Sequence, residues 1–329
     1  MKTIVTGGAG FIGSHLVEAL LADGHEVIVI DNFSTGRASN LMGVADHNKL
    51  YVIDCDIQHS FKLDHAFKDV DWVFHLAALA DIVPSIKKPR NYHLANVEGT
   101  MSILELARAA GVKRFIYTAS SSCYGIPIQY PTRETAPVAP TYPYALTKLA
   151  GELYVGHWAN VYGMSCASLR LFNVYGPRSR TSGAYGAVFG VFLAQKLAGK
   201  PYTIVGDGTQ ERDFIYVTDV VNALIKTAES EFKGIMNVGT GKSHSILRLV
   251  ELLGGEDKIF IPERPGEPKK TQANINLIQY ILKWQPEVSF EDGVSHMLEN
   301  INYWHDAPVW TPESIDNETK EWFKYLGRK

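Results

Sequence analysis

Tyr144 and Lys148 stand four residues apart just after Pro143, a residue suited to the first turn of a helix, so a phenol and an ammonium share one helix face. A phenolate is a general base, and an adjacent positive charge favours it. The ordinary tyrosine pKa is about 10, so proton abstraction near neutrality needs a depression of roughly 3 units, worth about 4 kcal/mol. Lys148 is expected to supply part of that depression. Taken alone, the Y-x-x-x-K spacing reads as readily as an exposed helix pair. Upstream, an apolar strand over 114–118 ends in Ala119-Ser120-Ser121-Ser122-Cys123-Tyr124-Gly125. Its hydroxyls fall at the carboxyl end of the strand, where parallel sheets bind ligands, although serines there can also simply cap a turn. A glycine-rich loop near the start of the chain favours the catalytic reading.

That loop is Ile4-Val5-Thr6-Gly7-Gly8-Ala9-Gly10-Phe11-Ile12-Gly13, an apolar strand running through three glycines spaced G-x-x-G-x-x-G into a helix over 11–23. Gly7 permits the turn, Gly10 lets the backbone approach a pyrophosphate, and Gly13 lets helix and strand pack closely. The free N–H groups at the helix start then face the anion. A second strand ends at Asp31, about 20 residues on, where a carboxylate accepts from both ribose hydroxyls. Asp31 favours NAD, because a 2′-phosphate would meet its charge; Arg37 nearby leaves NADP as an alternative, and a turn-capping Asp is the plainer reading. The positive nicotinamide of NAD would add to the depression of the Tyr144 pKa.

These residues need a scaffold that brings strand ends together. Strand-like runs at 2–6, 26–30, 50–53, 72–75, 114–118 and 165–171 alternate with helical stretches, and several are apolar throughout. That pattern predicts an α/β fold, a doubly wound parallel (Rossmann) sheet covered on both faces. Residues 91–110 carry an apolar stripe (Leu94, Val97, Met101, Leu104, Ala107) and stop at Gly111, which predicts one helix with a glycine C-cap. A helix from 144 to about 160 carries the Tyr/Lys pair. Beyond Leu171 glycine, proline and arginine crowd the chain, so the expected division is a nucleotide-binding domain over 1–171, with return segments near 213–240, and a smaller mixed α/β substrate lobe over 172–329. Thr311 as N-cap and Pro312 at N1 predict a late helix whose Trp322, Phe323 and Tyr325 pack on the second lobe or on a partner chain.

Composition narrows the function classes. A chain of 329 residues that is 46% apolar can bury a sizeable core, and a net charge of -3 argues against a nucleic-acid footprint. No apolar run reaches the ~20 residues of a membrane span, and the first residues read as a strand, so no membrane association and a cytoplasmic location are expected. Cys55, Cys123 and Cys166 are odd in number and scattered, and the histidines lack ligand spacing, which predicts reduced thiols and no metal.

The motifs taken together, in order, resemble the extended short-chain dehydrogenase/reductases, in particular their nucleotide-sugar epimerase and dehydratase group. The matching segments are Gly7 to Gly13, Asp31-Asn32, Asp56-Ile57, His75-Leu76-Ala77-Ala78, Asn96, Ser120 to Gly125, Tyr144/Lys148, Leu169-Arg170-Leu171-Phe172-Asn173-Val174-Tyr175-Gly176-Pro177 and Arg212-Asp213-Phe214. The resemblance implies that Asp56 and Ile57 flank the adenine and that Leu76, Ala77 and Ala78 line the dinucleotide, with Phe11, Ile12, Asn32 and Asn96 in the cofactor set. It implies Ser120, Tyr144 and Lys148 as catalytic residues and Asn173 and Arg212 as holders of the substrate's nucleotide diphosphate. Arg212 suits phosphate by its planar fork, and a surface pair with Asp213 or Glu211 is its ordinary alternative. A homodimer through the helices 91–110 and 144–160 is implied as well.

Within the group, 4,6-dehydratases follow the catalytic hydroxyl with an Asp-Glu pair, and the glucuronate decarboxylases use a Glu. Here Ser121-Ser122 stand instead, in substrate-binding positions, so elimination and decarboxylation lack their carboxylates. C4 epimerisation through a 4-keto sugar needs neither. The serine run and Gly183-Ala184-Tyr185-Gly186-Ala187-Val188 look most like bacterial epimerases acting on UDP-N-acetylhexosamines. In Arg264-Pro265-Gly266-Glu267-Pro268-Lys269-Lys270-Thr271, Arg264 matches a phosphate-binding arginine, and Thr271 falls where enzymes confined to plain hexoses carry a bulky Tyr. The expected substrate is therefore a UDP-hexose with room for an acetamido group. A decarboxylase, dehydratase or 4-keto reductase of the same fold, and a non-catalytic NAD-binding sensor, are the alternatives.

Overall fold

The computed structural model describes residues 1–179 and 186–327. Six strands, β1 (Lys2–Thr6), β2 (Glu26–Asp31), β3 (Leu50–Asp54), β4 (Trp72–His75), β5 (Arg114–Ser120) and β6 (Cys166–Leu171), join a seventh, Gly234–Val238, in one sheet. Its order is Gly234–Val238, β6, β5, β4, β1, β2, β3, and every neighbouring pair is parallel. The direction of winding reverses between β1 and β4, and at that switch point the strand ends open a crevice.

Both faces of the sheet are buried over β1, β2, β4, β5 and β6, which explains strands that are apolar without alternation; the edge strand β3 stays largely exposed. Val5 and Val29 point into one core with Leu16 and Leu20 of the helix Phe11–Ala22 and Ala223 and Leu224 of the helix Val217–Glu229. Ile4, Ile28 and Ile30 point into the other, against Ile103 and Leu104 of Gly99–Ala109 and Val155 and Trp158 of Pro143–Tyr162. The chain does return to the sheet after its first six strands, with Val217–Glu229, Gly234–Val238 and the Ile278 and Trp284 side chains of a later segment.

The smaller lobe packs around aromatic rings, among them Tyr175, Phe189, Phe214, Phe290, Trp304 and Trp322. Its helices are Val188–Leu197, Ile246–Leu252, Phe290–Glu299 and Pro312–Leu326, and Tyr202–Val205 pairs in parallel with Lys258–Ile261. The last helix begins as expected, with Thr311 and Ser314 in a reciprocal capping box and Pro312 in the first turn.

One helix differs from expectation. Residues 91–110 are not a single α-helix: Pro89–His93 and Gly99–Ala109 are joined by a π-helical turn, Leu94–Glu98. The widened turn accommodates Asn96, whose side chain accepts from the Leu79 N–H (2.8 Å) and donates to the Leu79 carbonyl (3.0 Å) and Thr147 Oγ1 (3.0 Å). Gly111 takes the left-handed conformation (φ +66°) that ends the helix.

Candidate active site

A cavity of about 630 Å³ runs along the carboxyl ends of the strands and across the junction of the two lobes. At one end Gly7, at φ +70°, makes a turn that any Cβ would jam against the Ala77 backbone nitrogen at 2.8 Å. A Cβ on Gly13 would run into the Gly7 carbonyl. At Gly10 a Cβ would meet only the Gly7 oxygen, at 3.0 Å, so the space beside this residue belongs to the cavity. Gly10 is also the N-cap of Phe11–Ala22 and offers no side-chain cap, so the first N–H groups remain available to an anion. Asp31, at the tip of β2, accepts from Ala9 N–H and Phe33 N–H, each at 2.9 Å. It therefore does cap the turn while its carboxylate lines the cavity, with lone pairs left for further donors. Asn32 donates to Asp56 (2.9 Å), and Asp56 and Ile57 complete this end beside Leu76, Ala77 and Ala78. The residues present fit a dinucleotide.

In the middle, Ser120 ends β5 and Tyr144 sits one residue into the helix Pro143–Tyr162, where Pro143 fixes the first turn. Ser120, Ser121, Ser122 and Tyr144 all face the cavity. Ser120 hydrogen-bonds Ser122 at 2.8 Å between Oγ atoms, and its hydroxyl also favours the Tyr144 phenolate. Lys148 lies deeper, its Nζ 4.3 Å from the centroid of the Tyr117 ring, while Tyr117 OH donates to the Lys148 carbonyl (3.2 Å). The electrostatics correct one expectation. Burial pushes the Tyr144 phenol above its usual pKa, with the Ser120 hydrogen bond opposing, and Lys148 does not hold it down. The lysine is itself desolvated, which brings its ammonium down to about 7 against the pull of Glu152.

At the far end, Arg212 and Arg264 flank Glu267, at 3.3 and 3.0 Å, leaving a net positive charge beside the cavity. Asp213 is not the partner of Arg212. It is fully buried and accepts from the N–H groups of Thr240, Gly241 and Ala273. Thr271 Oγ1 accepts from Asp213 N–H (3.0 Å) and donates to Asn173 Oδ1 (2.9 Å), which fixes the amide of a cavity-lining residue by its oxygen.

Of the residues singled out in the sequence, two do not line the cavity. Asn96 is 1% exposed, and its amide is taken up by Leu79 and Thr147, so it braces the wall rather than touching a dinucleotide. Lys148 sits behind Tyr144 and Tyr117. Gly183, Ala184 and Tyr185 lie outside the described residues; Gly186, Ala187 and Val188 line the cavity. Sequence reading missed Tyr142, whose ring stacks 6.4 Å from that of Tyr144, and the cavity-lining role of Trp322, which packs on the second lobe as expected but also lies 6.2 Å from Tyr142 and donates Nε1–H to the Pro265 carbonyl. It also missed Tyr303. A proline-initiated helix hinted at Tyr142; nothing local marked the other two.

Fold and cavity define an α/β protein with a dinucleotide site at its switch point and a second, arginine-lined space between its lobes. The chain belongs to the NAD dependent epimerase/dehydratase family, whose pattern matches residues 3–239. It is 38% identical over 308 residues, 91% of this chain and 98% of the relative, to a UDP-glucose 4-epimerase of Mycolicibacterium smegmatis. It is 34% identical over 313 residues, 92% of this chain and 70% of the relative, to UDP-glucuronic acid decarboxylase 1 of Arabidopsis thaliana. Among solved structures, the UDP-N-acetylglucosamine 4-epimerase of Methanobrevibacter ruminantium in complex with UDP-N-acetylmuramic acid superposes with a TM-score of 0.87 at 36% identity, covering 92% of this chain and 98% of that one. The protein is an NAD-dependent enzyme of this nucleotide-sugar family. No helix among the described residues is long and apolar enough to cross a membrane, and none of their His, Cys, Asp and Glu side chains cluster as a metal site.

Proposed function

We propose that the enzyme epimerises a UDP-hexose at C4, interconverting UDP-N-acetylglucosamine and UDP-N-acetylgalactosamine through a transient 4-keto sugar, in the cytoplasm. The observation that carries this reading is the turn after β5, which presents Ser120, Ser121 and Ser122 beside Tyr144 and no carboxylate. Elimination of water or loss of CO₂ needs an acid or base there; epimerisation needs only a hydroxyl and a phenol. Bound NAD supplies reversible hydride transfer at C4 and a positive charge near Tyr144. Tyr144 takes and returns the proton of the C4 hydroxyl, and Ser120 hydrogen-bonds the same oxygen. Arg212, Arg264 and Asn173 hold the diphosphate, so that the sugar can turn over while its anchor stays fixed.

Proton NMR of the purified protein with UDP-N-acetylglucosamine and no added NAD tests this reading. A galacto-configured anomeric signal rising to a plateau is expected, and Tyr144→Phe should lower the rate by ~10²-fold or more. Pentose or 4-keto signals from UDP-glucuronate or UDP-glucose would instead favour the decarboxylase or dehydratase chemistry found among relatives.

The enzyme is proposed to act as a homodimer. Leu146, Leu153 and Val161 are 57, 64 and 56% exposed on Pro143–Tyr162. Their seven- and eight-residue spacing makes one apolar stripe on the outside of the helix that carries Tyr144.

A further inference from the structure

The dinucleotide end of the cavity is covered by the segment after Asp31, from which Ser34, Thr35, Arg37 and Asn40 face inward. This strap is tied to the glycine loop at Ala9. The Ala9 carbonyl accepts from Arg37 N–H (3.0 Å) and Asn40 Nδ2 (2.8 Å), and Ala9 N–H donates to Asp31 (2.9 Å). A second tie comes from the other end of the chain. Tyr303, in the turn Ile301–Trp304, donates its hydroxyl to Asn40 Oδ1 at 3.0 Å, and the Arg37 guanidinium lies 5.6 Å from the centre of its ring. Trp304, the next residue, is fully buried in the core of the smaller lobe. Tyr303 therefore cannot swing off the strap without moving that core, and its ring lines the same cavity.

We propose that Tyr303 is a latch on the cofactor site. The series Tyr303–Asn40–Ala9–Asp31 joins the smaller lobe to the loop that cradles the pyrophosphate and to the carboxylate that meets the ribose. Release of NAD requires the strap to lift, and lifting the strap requires breaking the Tyr303 contacts. The smaller lobe thus keeps the dinucleotide resident while sugar substrates come and go. This inference concerns NAD alone and stands independently of which sugar is processed.

Exchange of bound cofactor tests it. Protein loaded with isotopically labelled NAD and desalted is mixed with excess unlabelled NAD, and retained label is followed over time. Tyr303→Phe, which keeps the ring, should exchange about fivefold faster, as expected for one lost hydrogen bond. Tyr303→Ala should exchange at least about tenfold faster, having also lost the Arg37 contact. Faster exchange in Tyr303→Phe, under conditions where circular dichroism shows both proteins fully folded, supports the latch even if Tyr303→Ala fails to fold. Wild-type exchange in Tyr303→Phe overturns it, and so does acceleration that appears only where circular dichroism shows the variant partly unfolded.

Discussion

Lys148→Met should stabilise the protein while disabling it, and the pH dependence of the gain reports the charge state of the buried lysine. In the fold, the Lys148 ammonium has a pKa of about 7, against 10.5 for an ordinary lysine. At 1.36 kcal/mol per pH unit, holding the proton in the native state below pH 7 costs about 5 kcal/mol relative to an exposed lysine. Methionine has a similar length and no charge, so the variant should gain up to about 5 kcal/mol at pH 6. The sign with pH follows from linkage. Between the folded and unfolded pKa values the unfolded chain binds one more proton than the native state, so wild-type stability rises with pH across that window and is lost as pH falls through about 7. The gap between variant and wild type should therefore close by about 1.4 kcal/mol per pH unit above the native pKa. The assay is urea unfolding of both proteins from pH 6 to 9.5 in excess NAD, with epimerisation measured in parallel. A pH-independent change in cofactor affinity moves the offset between the two curves, not its slope. Parallel curves would refute the claim that Lys148 is a desolvated, partly neutral amine in the native state.

Three further changes probe the rest of the site. Thr271→Tyr fills the space beside Asn173 and should lower kcat/KM for UDP-N-acetylglucosamine relative to UDP-glucose by about 10–200-fold, whereas an unchanged ratio would show that the acetamido group lies elsewhere. Gly13→Ala drives a Cβ into the Gly7 carbonyl, so the purified variant should lack bound dinucleotide, as read from its absorbance ratio at 260 and 280 nm. Leu153→Glu places a charge in the exposed stripe of the helix Pro143–Tyr162, and sedimentation velocity should show a monomer where the wild type is a dimer.

Much of the nucleotide-binding half was legible because its signals are local. Gly7, Gly10 and Gly13 are set by backbone crowding within one turn, and Asp31 by its place at a strand end. The continuous apolar runs of β1, β2 and β4 are strands because both faces of the sheet are covered there. The 91–110 helix was misjudged in one turn for the opposite reason. Its periodicity is helical on either side, but the π-turn answers a partner, the Leu79 backbone, that lies in a different segment. The same limit applies to charge. Sequence spacing puts Lys148 beside Tyr144, yet burial decides what the pair does, and burial pushes the phenol up and brings the ammonium down.

The smaller lobe contributes to the cavity by contacts that span most of the chain, which is why its most informative residues carry no motif. Trp322 reaches Pro265 across 57 positions and Tyr303 reaches Asn40 across 263. Each looks in sequence like one more aromatic residue on a short amphipathic segment, and core packing is the ordinary explanation. Trp304 and Trp322 do serve that role, at 0 and 1% exposure, but each also fixes a neighbour at the cavity: Trp304 fixes Tyr303, and Trp322 fixes the Arg264 loop. Stability of the smaller lobe and closure of both ends of the cavity thus rest on the same rings. A substitution that loosens this core should therefore speed loss of NAD and weaken substrate binding together, without touching a residue of the glycine loop or the Tyr144 helix.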